Sequence, residues 1–286
     1  MLNLVLSLIG AYALICTGGW VLHRYFLYLP DTKRYAPREV GLSDVEEVIL
    51  KSRDGVTLIA WHQPARGNKP TLLYFTGNSG SAANRARKIE AIAVSGYGVL
   101  MLNYRRYGGS GGWPSEENNV ADAAVAYDYL REIGLGGDDI VAYGESLGTA
   151  VATRLALQRP VKALVLEAPF TSAVDVGNQV WWFLPLRLIM TDQYRTIDRI
   201  ASVKVPLLIV HGARDDLIPV SHARQVYAAA NEPKTLSILR MGGHNDLFDH
   251  GAWQKITDFL EIFEQEEVRP AAAIRVPRFE PVALAS

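Results

Sequence analysis

The chain has 286 residues, a formal net charge of −1 and 49% hydrophobic residues. Near-neutral charge removes the basis for nucleic-acid binding or for electrostatic adhesion to a membrane surface. A single cysteine, Cys16, excludes an intrachain disulfide framework, and the length and apolar content suit one α/β domain with an ample core.

Residues 1–22 carry no charged side chain and are mostly Leu, Ile, Val, Ala and Gly. As a helix they extend about 33 Å, close to the hydrocarbon thickness of a bilayer. Trp20, Tyr25, Phe26 and Tyr28 supply an interfacial aromatic belt. A cleaved signal peptide would carry a basic region before the apolar core and a small-residue site after it. No Lys or Arg precedes this core, and Ala11-Tyr12-Ala13 falls inside it. Residues 1–29 are therefore expected to be a single-pass transmembrane anchor. Arg24, Lys33, Arg34 and Arg38 all follow the span, so the positive-inside rule places the rest of the chain in the cytoplasm. Cys16 lies too deep in this run to be a persuasive nucleophile.

From residue 40 strand and helix signals alternate up to 268. Strand patterns at 46–52 and 56–62 flank Arg53-Asp54-Gly55, a hairpin signal. Further strands are predicted at 71–75, 99–103, 140–143, 161–166, 206–210 and 234–239. Helical patterns fall between them, at 121–133, 149–158 and 221–230. The last, at 253–263, has Ile256, Phe259, Leu260 and Phe263 at helical spacing. This rhythm implies a mostly parallel sheet with helices on both faces. Residues 171–200 break it and carry Val180-Trp181-Trp182-Phe183-Leu184-Pro185-Leu186. They form either an apolar roof over an acyl pocket or a segment that simply packs on the core. Residues 269–286 read as a loose tail.

The sharpest motif is Gly144-Glu145-Ser146-Leu147-Gly148, between the strand at 140–143 and the helix at 149–158. A G-x-S-x-G pentapeptide in that setting is a nucleophile elbow, and Ser146 is the candidate nucleophile. In this arrangement the acid and then the histidine follow along the chain. Of the six histidines, only His222, His244 and His250 lie beyond the candidate acids. His222 falls within a helical run too close to those acids, whereas His244 lies in a glycine-bearing loop after the strand at 234–239. His244 is therefore the expected general base. The acid comes from the loop 211–219, where Asp215 fits G-x-x-D-x-x-[IV]-P better than Asp216. A carboxylate there orients the imidazole and stabilises its charged form. For the oxyanion, the backbone N–H groups of Leu147 and of Asn78, in the small-residue loop after the strand at 71–75, are expected to converge. His244, Asp246, Asp249 and His250 cluster in sequence, but without zinc-type spacing, so neither metal nor cofactor is expected.

Tyr74-Phe75-Thr76-Gly77-Asn78, the run Asn103 to Gly112, Pro114-Ser115-Glu116, the elbow and Gly242-Gly243-His244-Asn245-Asp246 together resemble the α/β-hydrolase superfamily. The chain is most similar to small membrane-anchored members of the bud-emergence type and to α/β-hydrolase-domain proteins of the depalmitoylase kind. The resemblance spans roughly residues 45–263. It implies an α/β-hydrolase fold with a small helical cap at about 171–200, within a catalytic domain at 40–268. Two stretches depart from the family pattern. Thr76 stands where a His is usual, and Asn103 and Arg106 replace the Asp and first Gly of Asp-Tyr-Arg-Gly-Tyr-Gly. The resemblance implies a serine hydrolase acting on esters or thioesters. The membrane helix and aromatic cap tilt the substrate toward small, acylated or lipid-like molecules. A serine peptidase and a non-catalytic hydrolase-fold binding protein are the alternatives; no acidic cluster offers to hold a peptide's amino terminus.

Overall fold

The computed structural model describes residues 1–268, so the expected tail at 269–286 lies outside the described residues. The chain opens with helix α1 (Leu2–Leu27), which includes an 18-residue stretch of mean hydropathy 1.9, and a two-residue strand β1 (Leu29–Pro30). A hairpin follows, β2 (Glu46–Lys51) and β3 (Thr57–Gln63). Then come β4 (Thr71–Phe75), the short β5 (Ser79–Gly80), α2 (Ala86–Val94), β6 (Gly98–Leu102), α3 (Glu116–Glu132), β7 (Ile140–Glu145), α4 (Leu147–Gln158) and β8 (Ala163–Glu167). Two short cap helices, α5 (Ala173–Gly177) and α6 (Leu186–Ile189), precede β9 (Leu207–Gly212), α7 (Val220–Ala229), β10 (Lys234–Leu239) and α8 (Ala252–Val268).

Eight strands form one sheet in the order β10-β9-β8-β7-β4-β6-β3-β2. All neighbours are parallel except β2–β3 and β3–β6, so the sheet has an antiparallel hairpin at one edge. The central strands are buried on both faces, and their alternating side chains feed two separate cores. Leu73, Phe75, Leu100, Ala142, Leu164 and Ile209 face one way, toward Tyr127 of α3, Val151 of α4 and Val226 of α7. Leu72, Tyr74, Val99, Val141, Val165 and Leu208 face the other, toward Ile89 and Ile92 of α2 and Ile256 and Leu260 of α8. Period-two alternation thus serves both layers, as expected when helices cover each face of a parallel sheet.

Several elements start earlier than the apolar pattern suggested. Helix α3 begins five residues before the predicted start at 121, where the Ser115 hydroxyl caps the Asn118 amide at 3.1 Å. Strand β7 continues through Gly144 and Glu145, so only Ser146 separates strand from helix. Helix α8 packs Ile256, Phe259 and Leu260 as expected; the side chain of Phe263 lies outside the described ones.

Candidate active site

The turn at Ser146 is enforced by its neighbours. Ser146 sits at φ 51° and ψ −116°, a conformation that L residues seldom adopt. Its amide is held by the Glu167 carbonyl at 2.8 Å. Close passage of strand, turn and helix demands the flanking glycines. A Cβ on Gly144 would sit 2.3 Å from the Gly148 carbonyl oxygen, and one on Gly148 only 2.1 Å from that of Phe75. The elbow therefore lies pressed between β7, α4 and the end of β4, with Ser146 alone at the turn between strand and helix.

The loops after β9 and β10 bring the other two groups to it. They are tied together by Ala213 N–H donating to the Leu239 carbonyl at 2.9 Å and Arg214 N–H to that of Gly242 at 2.9 Å. Asp246 accepts from the Gly243 amide at 2.6 Å and so folds the loop around His244. His244 Nδ1 donates to Asp215 Oδ2 at 2.8 Å, and the Ser146 hydroxyl donates to His244 Nε2 at 3.1 Å. The protonated Nδ1 is the tautomer that a buried carboxylate selects. Asp215 Oδ1 accepts from the amides of Leu217, at 3.0 Å, and Ile218, at 2.7 Å. Burial alone would raise the Asp215 carboxyl; the His244 hydrogen bond and the Ile218 amide reverse this and hold it below the ordinary carboxylate value. Asp216 is exposed, next to this buried carboxylate. His222, on α7, is occupied elsewhere: its Nδ1 lies 2.9 Å from the Thr171 hydroxyl, and Gln179 donates to its Nε2 at 3.2 Å. The three residues singled out in the sequence thus form one hydrogen-bonded chain.

Asn78 and Leu147 line the same small cavity as Ser146, together with Leu27, Phe170, Ala173, Val176, Leu217 and Ile218. Asn78 carries more than the sequence suggested. Its side-chain amide donates to the Leu27 carbonyl at 2.9 Å, and its own carbonyl accepts from the Leu29 amide at 2.8 Å and the Tyr107 hydroxyl at 2.6 Å. Strand β1 pairs in parallel with β5, Leu29 opposite Ser79 and Pro30 opposite Gly80. The chain leaving α1 is therefore laced to the loop expected to hold the oxyanion. Two-residue strands leave no periodic signal, so this contact was illegible in the sequence.

A charged cluster beneath the elbow was also missed. Lys88 donates to Glu145 at 2.8 Å and to Glu167 at 2.7 Å. Arg85 donates to Glu145 at 2.9 Å and to the Ser79 carbonyl at 2.9 Å. Tyr74 and Tyr143, stacked with centroids 4.3 Å apart, donate to Glu145 and Glu167 respectively. Burial disfavours the Lys88 charge, but the two carboxylates outweigh it and hold its ammonium well above the usual lysine value. Burial likewise opposes ionisation of Glu145, and Lys88 and Arg85 reverse that and keep it below the usual carboxylate range. The cluster braces the residue before Ser146 and, through Arg85, the loop that carries Asn78. His211, fully buried, donates from Nε2 to the Ile218 carbonyl at 2.7 Å and so steadies the Asp215 loop.

The departures from the family pattern have local explanations. Asn103 accepts from the Ala82 amide at 2.8 Å, a task that an Asp would also perform. Arg106 has φ 70°, the region that suits a glycine, and its guanidinium lies 4.1 Å from the Trp113 ring centroid. That cation–π contact offsets part of the backbone strain. The buried Thr76 donates to the Gly77 carbonyl at 3.3 Å.

A family model described as the alpha/beta hydrolase fold matches residues 70–188. The uncharacterized protein Rv2307c of Mycobacterium tuberculosis is 38% identical over 252 residues, 84% of this chain and 88% of that protein. The alpha/beta hydrolase domain-containing protein WAV2 of Arabidopsis thaliana is 34% identical over 249 residues, 78% of this chain and 80% of that one. The lysophosphatidylserine lipase ABHD12 of Danio rerio is 25% identical, over 73% of this chain and 64% of that one. Among solved structures, the Pyrococcus furiosus esterase Pf2001 superposes with a TM-score of 0.66 at 20% identity, covering 84% of this chain and 97% of that one; this likeness speaks for the fold alone.

Proposed function

The chain belongs to the α/β-hydrolase family, and from that premise we propose that it is a membrane-anchored serine hydrolase of carboxylic esters or thioesters. The observation that carries this is the hydrogen-bonded order Ser146, His244, Asp215, with distances of 3.1 and 2.8 Å. His244 takes the Ser146 proton as the hydroxyl attacks the carbonyl carbon. Asp215 holds the imidazole in place and stabilises its positive charge. The oxyanion is met by the backbone amides of Leu147 and Asn78. His244 then protonates the departing alcohol or thiol, leaving Ser146 acylated. A water molecule, deprotonated by His244, hydrolyses that acyl-enzyme and restores the hydroxyl.

The long apolar α1 supports a single membrane span, and the cations Arg24, Lys33, Arg34 and Arg38 support a cytoplasmic catalytic face. An apolar helix beside the site, and the lipase name carried by a relative, favour acylated or lipid-like substrates. Labelling with a fluorophosphonate probe tests the chemistry directly. The wild-type protein is expected to label and Ser146→Ala to stay unlabelled with its fold intact. Persistent labelling of that variant would overturn the assignment of the nucleophile. No labelling and no turnover of any p-nitrophenyl ester by the wild type would instead favour a non-catalytic binding role.

A further inference from the structure

The cavity that holds Ser146 encloses only about 110 Å³, too little for a long acyl chain. It adjoins a larger groove of about 360 Å³, and Leu27, Ala173 and Val176 line both. One wall of that groove is α1, through Ile15, Gly19 and Phe26; the other is the cap, through Trp181, Leu184 and Ile189. Its polar member, His23, is satisfied at the margin by the Trp20 carbonyl at 2.7 Å and the Thr191 hydroxyl at 2.9 Å.

Depth along α1 decides what fills the groove. The cap holds α1 at Arg24, which donates to Asp192 at 2.9 Å, and at Tyr12, whose hydroxyl donates to the Phe183 carbonyl at 2.8 Å. Twelve residues of helix separate these points, about 18 Å. The part of α1 before Tyr12 is only about 15 Å long, well short of a bilayer's hydrocarbon core of about 30 Å. A spanning α1 must therefore immerse its cap-flanked half, and the cap rim goes with it. The rim is built for that setting: Trp182 and Leu188 are 79% and 82% exposed, and Val180, Trp181 and Phe183 are exposed beside them.

We propose that the groove between α1 and the cap takes the acyl chain of a bilayer-resident ester or thioester, which slides in sideways from the leaflet with its carbonyl at Ser146. This rests on the serine-hydrolase assignment above. The anchor is then one wall of the substrate site as well as a tether.

The full chain in lipid nanodiscs, assayed with p-nitrophenyl esters from acetyl to palmitoyl, tests it. In the wild type kcat/KM rises about two- to fourfold per added methylene until the groove is full, and the rate follows the mole fraction of long-chain ester in the disc. Gly19→Trp fills the groove from the α1 side, where even a Cβ would lie 3.4 Å from Ile189. Leu184→Trp fills it from the cap. Both are expected to lower the ratio of dodecanoyl to acetyl kcat/KM about tenfold, the loss of about two to four methylenes of burial. Acetyl-ester turnover with a flat chain-length profile, or an unchanged ratio in both variants, would refute the groove and leave the hydrolase assignment standing. A rate that follows bulk rather than disc concentration would refute lateral entry. A phospholipid that co-purifies with the wild type and is lost from Gly19→Trp, with the ratio unchanged, would reduce the groove to a resident-lipid site and overturn the proposal. No turnover of any ester by the wild type would sink the parent assignment itself.

Discussion

Removing the Lys88 ammonium should show how strongly the elbow depends on the charges beneath it. In Lys88→Met the Glu167 carboxylate, its side chain only 2% exposed, keeps one partner, the Tyr143 hydroxyl. Glu145 keeps Arg85 and Tyr74. Stripping one partner from a buried ion pair costs about 3–5 kcal/mol. Because Glu145 stays compensated, the low end applies, about 3 kcal/mol. For a domain of this size that lowers Tm by roughly 6–12 °C. Glu167→Gln, added to Lys88→Met, removes the stranded charge and should restore more than half of the loss. Thermal unfolding followed by near-ultraviolet circular dichroism in detergent micelles would read both variants, with ester turnover measured in parallel. Turnover should fall with Lys88→Met, since the Ser146 amide is bonded to Glu167 through its carbonyl and Ser146 follows Glu145 directly. A Tm unchanged in Lys88→Met, or a double variant no more stable than the single one, would refute this account of the cluster.

Asp215→Asn should leave a folded protein with turnover reduced about 10⁴-fold, because the amide no longer selects the Nδ1–H tautomer of His244. Asp216→Asn should stay near wild type in the same p-nitrophenyl ester assay, and the reverse result would move the acid to Asp216. Gly148→Ala should yield no folded protein in a detergent solubility screen, since its methyl group meets the Phe75 carbonyl at 2.1 Å and both are backbone-fixed. Stability should also follow pH in a definite way. Burial holds His62 and His211 below the ordinary imidazole value. The unfolded chain takes protons there that the fold refuses, so Tm should begin to slip as pH falls below about 6.5. Glu145 and Asp215, held low by their partners, stabilise the fold above the unfolded carboxylate value of about 4, and lose that contribution as pH falls through their folded values. Lys88, held high, contributes fully below about 10.4 and loses its contribution as pH climbs through its folded value. A Tm series across pH should therefore be highest between roughly 7 and 10, and Lys88→Met/Glu167→Gln should lose the alkaline decline attributed to Lys88.

What the sequence disclosed follows from how far each signal reaches. The sheet and most helices were legible because apolar runs and helical spacing are local properties, and the elbow because glycines on both sides of Ser146 answer a steric demand within five residues. Asp215 and His244 were singled out through chain order and loop chemistry, and the fold hydrogen-bonds them in line with Ser146 although 98 residues separate Ser146 from His244. Arg85 and Lys88 looked like ordinary charges, and nothing nearby announces Glu145 and Glu167, 57 and 79 residues from Lys88. Helix α2, which carries Lys88, is only nine residues long and buries just Ile89 and Ile92, too short a run to stand out beside the longer helices. The role of the apolar N-terminal run was half legible: its length suggested a span, but hydropathy is blind to the partner that Gly19, Arg24 and Tyr12 select.

The lacing of Leu29 and Leu27 to Asn78 bears on how the protein is handled. Cutting away the first thirty residues is a natural step toward a soluble enzyme. It would also delete a neighbouring strand and the acceptor for the Asn78 side chain, each hydrogen bond contributing about 1 kcal/mol to the order of that loop. A shortened protein that folds yet turns over poorly would then be reporting a missing strut rather than a missing membrane. Restoring a detached peptide of residues 1–32 in micelles should return part of the rate.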